Sequence, residues 1–247
     1  MMMARFIAML DILGFTHLVE DRGIDEIHQV INELFRSVQK GTKSDFSAKV
    51  DGRLYKHPAI RLNYFIFSDT IVIWKDYQKL RKNNKNVVGN CALFNEFNMG
   101  IIKVLRNALR KRIPLRGGMV FGESIIKIDK SEHNNNEIIG QSIIDAHLIG
   151  ESQNWIGVAF HSSCLDFISH CDSRVIKYEK LPFHKGRLSK IKKGHATKFS
   201  LKWGYEPELE VLYDLKEDLT KSCANEDIIE KYNNSIEFLE YVVKKDE

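Results

Sequence analysis

The sequence predicts an α+β domain in which helices cover one face of a mainly antiparallel sheet. Short β-rich runs occur in neighbouring pairs, as in hairpins, and stretches with a helical period separate these pairs. The predicted order is strand, helix, hairpin-forming strands, helix, strand and then a more variable end. A layer of helices on an antiparallel sheet satisfies this order, and the arrangement is close to a ferredoxin-like fold.

The individual elements follow from apolar periodicity and from the turn residues between them. The predicted strands are 6–10, 60–67, 70–74, 113–120, 123–128, 155–160, 174–178 and 209–213. The predicted helices are 24–41, 93–109, 141–151, 162–168 and 227–243. We predict a loop for the polar stretch 43–58, and a flexible or phosphate-facing loop for the basic stretch 184–198. Trp155 and Trp203 are expected in the core or at an interface.

Composition excludes several classes of protein. The 247 residues carry 37 basic and 33 acidic side chains, a formal charge of +4 that is too small to indicate a nucleic-acid binder. A hydrophobic content of 43% excludes wholesale disorder. No apolar run approaches the roughly 20 residues of a membrane span. Asp11 interrupts the first apolar stretch and no cleavage site follows, so we expect a cytoplasmic protein rather than a secreted one.

Cysteine and histidine positions give no sign of a zinc site. Cys91, Cys164, Cys171 and Cys223 include no C-x-x-C pair and no Cys/His cluster at ligand spacing, so we expect reduced, buried thiols. Ordinary surface or core roles are expected for the histidines His147, His161 and His184. No Walker-type phosphate loop and no Ser/His/Asp order stands out.

Two aspartates are the first candidates for chemistry. Asp11 ends an apolar strand, and Asp69 lies at a predicted hairpin tip 69 − 11 = 58 residues later. If their strands are neighbours, the carboxylates repel each other unless a cation such as Mg²⁺ lies between them. The turn at 12–16 leads into a helix whose N–H groups could hold a polyphosphate. The alternative is that Asp11 and Thr16 are helix caps and Asp69 is a turn residue.

Four segments resemble, in family order, the motifs of class III nucleotide cyclases. Segment 6–16 (FIAMLDILGFT) resembles their F-x-D-I-x-G-F-T signature, and 65–72 (FIFSDTIV) their hairpin with Gly-Asp at its tip, here with Ser68 in place of the glycine. Segment 115–123 (LRGGMVFGE) resembles their L-R-x-G-x-x-x-G strand. Segment 139–151 (IGQSIIDAHLIGE) occupies the place of their W-G-x-x-V-N-x-A-S-R helix.

The resemblance implies a reaction and a site. In this family the ribose 3′-hydroxyl attacks the α-phosphate of a nucleoside triphosphate and pyrophosphate leaves. It implies that Asp11, Ile12 and Asp69 bind two Mg²⁺ or Mn²⁺ ions and that Arg116 contacts the outer phosphates. The residues implied to hold the triphosphate are Ile12, Leu13, Gly14, Phe15 and Thr16. The family site is completed across a dimer interface, which implies a homodimer with a class III cyclase fold.

Departures from the family pattern concern the base-reading positions first. A lysine or glutamate is expected four positions before the hairpin aspartate, where this chain has Phe65 beside Tyr64, and the second base-reading position is Glu137. This loss suggests a different base. The chain also resembles the pyrimidine cyclases of bacterial Pycsar anti-phage systems. The resemblance lies in the short standalone form, the D-I-L-G-F sequence and the ESQNWIG segment. An aromatic side chain at Tyr64 or Phe65 would stack on a pyrimidine, although strand alternation sends only one of them into the site.

Transition-state residues are also missing. The family's Asn and Arg align with Ile144 and Leu148, and the polar neighbours Asp145 and His147 could partly substitute. We therefore predict a cyclase domain at 1–215 and a C-terminal helical extension at 216–247. Its expected product is cyclic UMP or CMP, a signal for a separate effector. The alternatives are an adenylate or guanylate cyclase, a silent nucleotide-binding sensor of the same fold and, with less support, a polymerase or nuclease palm.

Overall fold

The computed structural model describes residues 2–21, 23–50, 53–77, 85–128, 136–171, 174–183, 196–221 and 225–246. Its strands are β1 (Met3–Ile12), β2 (Lys43–Val50), β3 (Arg53–Arg61), β4 (Asn63–Phe67), β5 (Thr70–Asp76), β6 (Leu115–Lys127), β7 (Glu137–Ile139), β8 (Gly157–His161), β9 (Val175–Lys177) and β10 (Ala196–Leu201). Its helices are α1 (Phe15–Asp21), α2 (Ile24–Thr42), α3 (Lys85–Leu109), α4 (Gln141–Ser152), α5 (Leu165–Cys171), α6 (Glu206–Lys221) and α7 (Glu226–Asp246), with a 3₁₀ turn at Ser162–Cys164.

A mixed sheet of eight strands organises the chain. Its order is β4-β5-β1-β6-β8-β10-β9, and β7 pairs with the far part of β6. All pairs are antiparallel except β6 with β8, which run parallel. The strands β2 and β3 form a separate hairpin. The described part of the chain therefore confirms the α+β class with a mainly antiparallel sheet.

The two faces of the sheet bury different side chains. Along β1, Phe6, Ala8 and Leu10 enter the larger core, which α2, α3, α6 and α7 help to form, whereas Ile7 and Met9 point to the opposite face. On that opposite face, Ala146 and Ile149 of α4 complete a smaller core. The expected layer of helices on one face is thus accompanied by one helix, α4, on the other.

Glycines let α4 lie unusually close to β6. A Cβ atom on Gly118 would come within 2.3 Å of the Ala146 carbonyl oxygen, and one on Gly122 within 2.9 Å of the Ser142 Cβ. From the helix side, a Cβ on Gly150 would be 3.2 Å from the Gly117 Cα. Contacts this short leave no room for side chains, so backbone packs on backbone here. This contact fixes the height of α4 above the sheet.

Several sequence predictions about single elements are wrong. The stretch 43–58 was expected to be a loop but contains β2 and most of β3. The expected break between strands 113–120 and 123–128 does not exist, because β6 continues through Gly122 and its hairpin partner is β7. The expected strand 209–213 lies within helix α6. The predicted helices 24–41, 93–109, 141–151 and 227–243 are all present.

The cysteines differ from the expectation of free thiols. Cys91 of α3 and Cys171 of α5 form a disulfide, because the packing of these helices brings their Cα atoms within 4.8 Å although they are 80 residues apart in sequence. Cys164 is a buried free thiol, as expected, and burial raises its pKa to about 12. Cys223 lies outside the described residues.

The C-terminal part of the chain packs on the same larger core. Leu212 and Leu215 of α6 and Phe238 and Leu239 of α7 are buried there, next to Trp155 and Trp203, so the two tryptophans are core residues. The proposed division between 1–215 and 216–247 stays a prediction, and α6 spans it. Among the described helices, none has the length and apolar character to cross a membrane.

Candidate active site

Asp11 and Arg116 form the base of the candidate site. They are register partners on the adjacent strands β1 and β6. The Arg116 Nε donates to the Asp11 Oδ1 at 3.1 Å and its Nη2 to Oδ2 at 3.1 Å, while Nη1 donates to the Gln153 carbonyl oxygen at 3.1 Å. Both side chains are largely buried, with 25% of Asp11 and 12% of Arg116 exposed. The guanidinium is therefore held in one orientation behind the carboxylate.

Asp69 lies at the tip of the hairpin of β4 and β5, at the same candidate site as Asp11. Ser68 and Asp69 form a two-residue turn between the paired residues Phe67 and Thr70, as predicted. Ser68 has a φ of 56°, in the left-handed region where glycine is favoured. Because the turn is tight, the carboxylate of Asp69 is fixed beside the end of β1.

The electrostatic state of Asp69 reflects its position. Burial is the main cause of a raised pKa, and the negative charge of Asp11 raises it further. Hydrogen bonds from its own backbone N–H and from Ser68, together with the charge of Arg116, lower the pKa and only partly offset these effects. Asp11 and Asp69 thus repel each other, as two carboxylates in one site do.

The two aspartates share one cleft with a volume of about 200 Å³. Its walls come from the end of β1, from the hairpin tip and from α4. The lining residues are Met9, Leu10, Asp11, Asp69, Thr70, His147, Gly150 and Glu151. The structure places Asp11 and Asp69 together at the strand ends, as the sequence predicts, whereas their role as metal ligands stays a prediction. Sequence reasoning missed Glu151 and gave His147 only a minor role.

The predicted phosphate-binding turn lies directly after β1. Ile12 and Leu13 are buried in the larger core, and the Leu13 N–H already donates to the Pro114 carbonyl oxygen at 2.9 Å. Gly14 has a φ of 79°, so this position needs glycine. Phe15 packs against the larger core and Thr16 is exposed. Contacts of residues 12–16 with a triphosphate stay a prediction. The Leu13 N–H is excluded from these contacts because it is already bonded to Pro114.

The predicted base-reading residues do not line the described cleft. Tyr64 packs against the larger core, with its ring 6.0 Å from that of Phe35, whereas Phe65 packs on the α4 side, the face that Asp11 shares with Met9. Of the pair, Phe65 is therefore the one on the side of the site. Glu137 is exposed on β7, where its carboxylate lies 3.5 Å from the Lys127 ammonium.

The α4 positions that replace the family's Asn and Arg have divergent orientations. Ile144 is exposed, and Leu148 packs against the smaller core. Asp145 faces a second pocket, where its Oδ2 is 4.0 Å from the His161 Nε2. His147 faces the cleft of Asp11 instead. The basic residues of the late loop, Lys185, Arg187, Lys190, Lys192 and Lys193, lie outside the described residues, as does His184.

The donors at this site suit a hard divalent cation. Within the described residues, no group of three or more His, Cys, Asp or Glu side chains converges as a complete metal site. Two carboxylates are nevertheless enough where substrate phosphates and water supply the other ligands of Mg²⁺ or Mn²⁺. Burial and, after it, the negative charge of Asp11 raise the pKa of Asp69, and a cation between the two carboxylates would relieve their repulsion.

Comparison with known proteins gives solved structures only. No protein-family model and no curated protein matches the chain. The chain is similar to the guanylyl cyclase Cya2, with 13% identity and a TM-score of 0.47 over 84% of this chain and 95% of that one. It is also similar to the adenylyl cyclase CyaB from P. aeruginosa, with 14% identity and a TM-score of 0.48 over 81% and 94% of the two chains.

A third similar structure is the guanylate cyclase domain of RhGC from Catenaria anguillulae in complex with GTP. It has 10% identity and a TM-score of 0.48 over 81% of this chain and 96% of that chain. All three are nucleotide cyclases or cyclase domains.

Proposed function

We propose that the chain is a nucleotide cyclase that converts UTP or CTP to the 3′,5′-cyclic monophosphate and pyrophosphate. The observation that carries the proposal is the meeting of Asp11 and Asp69 in one cleft, with Arg116 bonded to Asp11. These are three residues that the cyclase-like sequence motifs single out. They come from three separate segments of the chain, and the alternative of unrelated caps and turn residues does not account for their convergence.

The proposed cyclisation requires that the substrate is positioned and that the charge of its phosphates is neutralised. The bond from O3′ to the α-phosphorus forms, the bond from that phosphorus to the bridging oxygen breaks, and pyrophosphate leaves with the electron pair. Asp11 and Asp69 would hold two Mg²⁺ or Mn²⁺ ions, which supply charge stabilisation at the phosphates. Arg116, fixed by Asp11 and the Gln153 carbonyl, offers a positive group beside the carboxylates for the outer phosphates.

A pyrimidine substrate is supported by the residues that are absent from the base-reading positions. At Phe65 the chain has no side-chain hydrogen-bond donor or acceptor with which to select a purine, and this ring lies on the α4 side of the sheet. An aromatic ring stacks on a pyrimidine and fills the space that a purine would take. A homodimer and a separate effector that responds to the cyclic nucleotide belong to the same proposal, as does an anti-phage role.

Two other functions are compatible with the cleft. An adenylate or guanylate cyclase would use the same aspartates with a different base pocket. A silent sensor would bind nucleotide without turnover, and the exposed Ile144 and the packed Leu148 favour it, because neither side chain can stabilise a developing negative charge. The palm of a polymerase or nuclease has no supporting observation in the described residues.

Incubation of the pure protein with each of the four ribonucleoside triphosphates and Mn²⁺ tests the proposal, with products separated by chromatography and identified by mass. Cyclic UMP or cyclic CMP as the main product is expected. Cyclic AMP or GMP as the main product would contradict the pyrimidine assignment but keep the cyclase. Tight nucleotide binding with no product from any triphosphate would favour the sensor.

Asp69→Asn is the matched control for this assay. The amide keeps the shape of the side chain but removes the charge that faces the cleft, so we expect loss of turnover with an unchanged circular dichroism spectrum. Full activity of this variant would show that the assignment of Asp69 as a metal ligand is wrong.

A further inference from the structure

The side of the cleft opposite Asp69 is formed by the same chain's helix α4. The backbone contact between Gly150 and the β6 glycines holds this helix close to the sheet, so the side chains beside Gly150 lie at the level of the strand ends. His147 and Glu151, one helical turn apart, line the cleft together with Asp11 and Asp69. An imidazole and a third carboxylate are thus placed at the candidate site by packing alone.

His147 and Glu151 lie within ion-pair distance of each other on α4. The His147 Nε2 lies 3.6 Å from the Glu151 Oε2, and the two side chains are 49% and 39% exposed. A carboxylate beside an imidazole stabilises the imidazolium that forms when the ring takes up a proton. The exposure of the pair leaves the ring accessible to a molecule in the cleft, which a structural ion pair in the core would not allow.

Other charged groups around His147 favour the same role. Asp11 of β1 and Asp69 of the hairpin tip face the cleft from the opposite side, and Arg116 of β6 is bonded to Asp11. The surplus of carboxylates stabilises a positive ring once it forms. The two aspartates do not serve as the proton acceptor themselves, because Asp11 is bonded to Arg116 and both are the proposed cation ligands.

We propose that His147, backed by Glu151, is the general base of the cyclisation and that it serves the site of its own chain. This inference rests on the proposed function. The imidazole takes the proton of the ribose 3′-hydroxyl as the O3′–phosphorus bond forms, and the bond to the leaving pyrophosphate breaks. The imidazolium, paired with Glu151, then returns its proton to water. A side chain from α4 thus acts on the substrate, in a role different from the charge stabilisation that the missing Asn and Arg would supply.

His147→Ala and His147→Gln test the proposal directly, with His28→Ala as the matched control because His28 is an exposed helical histidine on α2. General bases contribute about 10²- to 10⁴-fold, so kcat should fall by about this factor in both His147 variants. KM and the binding of a non-cyclisable triphosphate analogue should stay within about threefold. The acidic limb of the kcat–pH profile should disappear in the His147 variants and remain in His28→Ala.

Glu151→Gln should give a smaller loss of kcat, about tenfold, with KM unchanged, because the imidazolium loses the carboxylate beside it. A kcat in His147→Ala equal to that of the wild type would overturn the proposal, while the wild-type product would still support the cyclase. Absence of product from the wild type would instead overturn the proposed function. Loss of analogue binding in His147→Ala would mean that the residue binds substrate rather than accepting its proton.

Mixing two inactive variants tests whether the base acts within one chain. In a shared site, Asp69→Asn and His147→Ala would complement each other, since a mixed dimer would contain one intact site. We expect no recovery of activity after the two proteins are mixed, unfolded and refolded together, with refolded wild type as the reference. In a shared site, random pairing would restore about a quarter of the reference activity, and any recovery towards that value would overturn the assignment to the same chain.

Discussion

Two clusters of acids and arginines in this molecule have opposite characters. The first surrounds Glu208 of α6, which is fully buried and lies 3.0 Å from the Arg106 Nε and 2.9 Å from the Arg110 Nη2 of the segment around the end of α3. Its second oxygen accepts a hydrogen bond from the Tyr205 N–H at 3.2 Å. Every part of this carboxylate has a partner, and no cleft adjoins it among the described pockets.

The second cluster is the cleft. Three carboxylates, those of Asp11, Asp69 and Glu151, line it, and Arg116 is bonded to Asp11 beside it. The pKa of Asp69 is raised by burial and by Asp11, so its charge is not well compensated by the protein. Burial of charge without full pairing is costly, which is why such carboxylates at a cleft point to a functional site. The comparison separates an ion pair that holds helices together from one that, in the proposed function, adjoins a bound cation.

The largest effect on stability is expected at the Glu208 cluster. Glu208→Ala leaves two arginines without their buried partner, and loss of one member of such a cluster costs about 3–5 kcal/mol. Urea unfolding should show this loss, while Glu210→Ala, an exposed glutamate of the same helix, should stay within about 0.5 kcal/mol. Equal effects of the two substitutions would remove the contrast between the clusters.

The cleft should instead gain stability from a cation. A ligand at 100 times its dissociation constant stabilises the folded state by about 2.7 kcal/mol, so Mn²⁺ should raise the melting temperature of the wild type. Asp69→Asn should abolish this gain, and Glu208→Gln should keep it, with all proteins first treated with a chelator. The same Mn²⁺-induced shift in Asp69→Asn and in the wild type would mean that the ion binds elsewhere.

Without metal, Asp11→Asn should destabilise the protein by roughly 1–2 kcal/mol, the value of a hydrogen-bonded ion pair that is mostly buried. The cause is loss of the partner of Arg116, whose Nε and Nη2 both donate to Asp11. Chemical unfolding in the presence of a chelator measures it. An unchanged free energy of unfolding would show that Arg116 finds an equivalent partner.

Asp69→Asn should have the smallest effect and the opposite sign. The pKa of Asp69 is raised in the folded state, so its ionised form is disfavoured by folding. Above the raised pKa the carboxylate lowers the free energy of unfolding, and this cost disappears as the pH falls through the raised pKa towards the ordinary value. In chelator at pH 7 the variant should be more stable by less than about 1 kcal/mol. The difference should vanish near pH 3, and a lower stability at pH 7 would contradict the cause assigned here.

The sequence predicts the aspartates better than it predicts the cleft around them. Asp11 and Asp69 are predictable because a strand end and a two-residue hairpin turn fix their positions locally. His147 and Glu151 depend on how close α4 lies to β6, which the glycines decide through contacts between segments about 30 residues apart. Spacing on a helix indicates that the two residues share a face but not which part of the sheet that face meets.

Errors in the fold have similar causes. The segment 209–213 combines β-rich side chains in a window too short to show a period, whereas burial of Leu212 and Leu215 follows the helical period of α6 over 16 residues. The predicted break between strands 113–120 and 123–128 falls at Gly122, whose missing side chain allows the approach of Ser142 while β6 stays extended. The disulfide between Cys91 and Cys171 depends on helix packing that no local pattern indicates.

The close contact of α4 with β6 also bears on how this chain tolerates mutation. Gly118 and Gly150 carry no functional group, yet any side chain at Gly118 would meet the Ala146 carbonyl oxygen and push the helix outward. In a saturation scan these two positions should resemble catalytic ones in an activity screen. A parallel measurement of cellular abundance would distinguish them, because displacement of α4 weakens the smaller core as well as the site, whereas substitutions at His147 should reduce activity without reducing abundance.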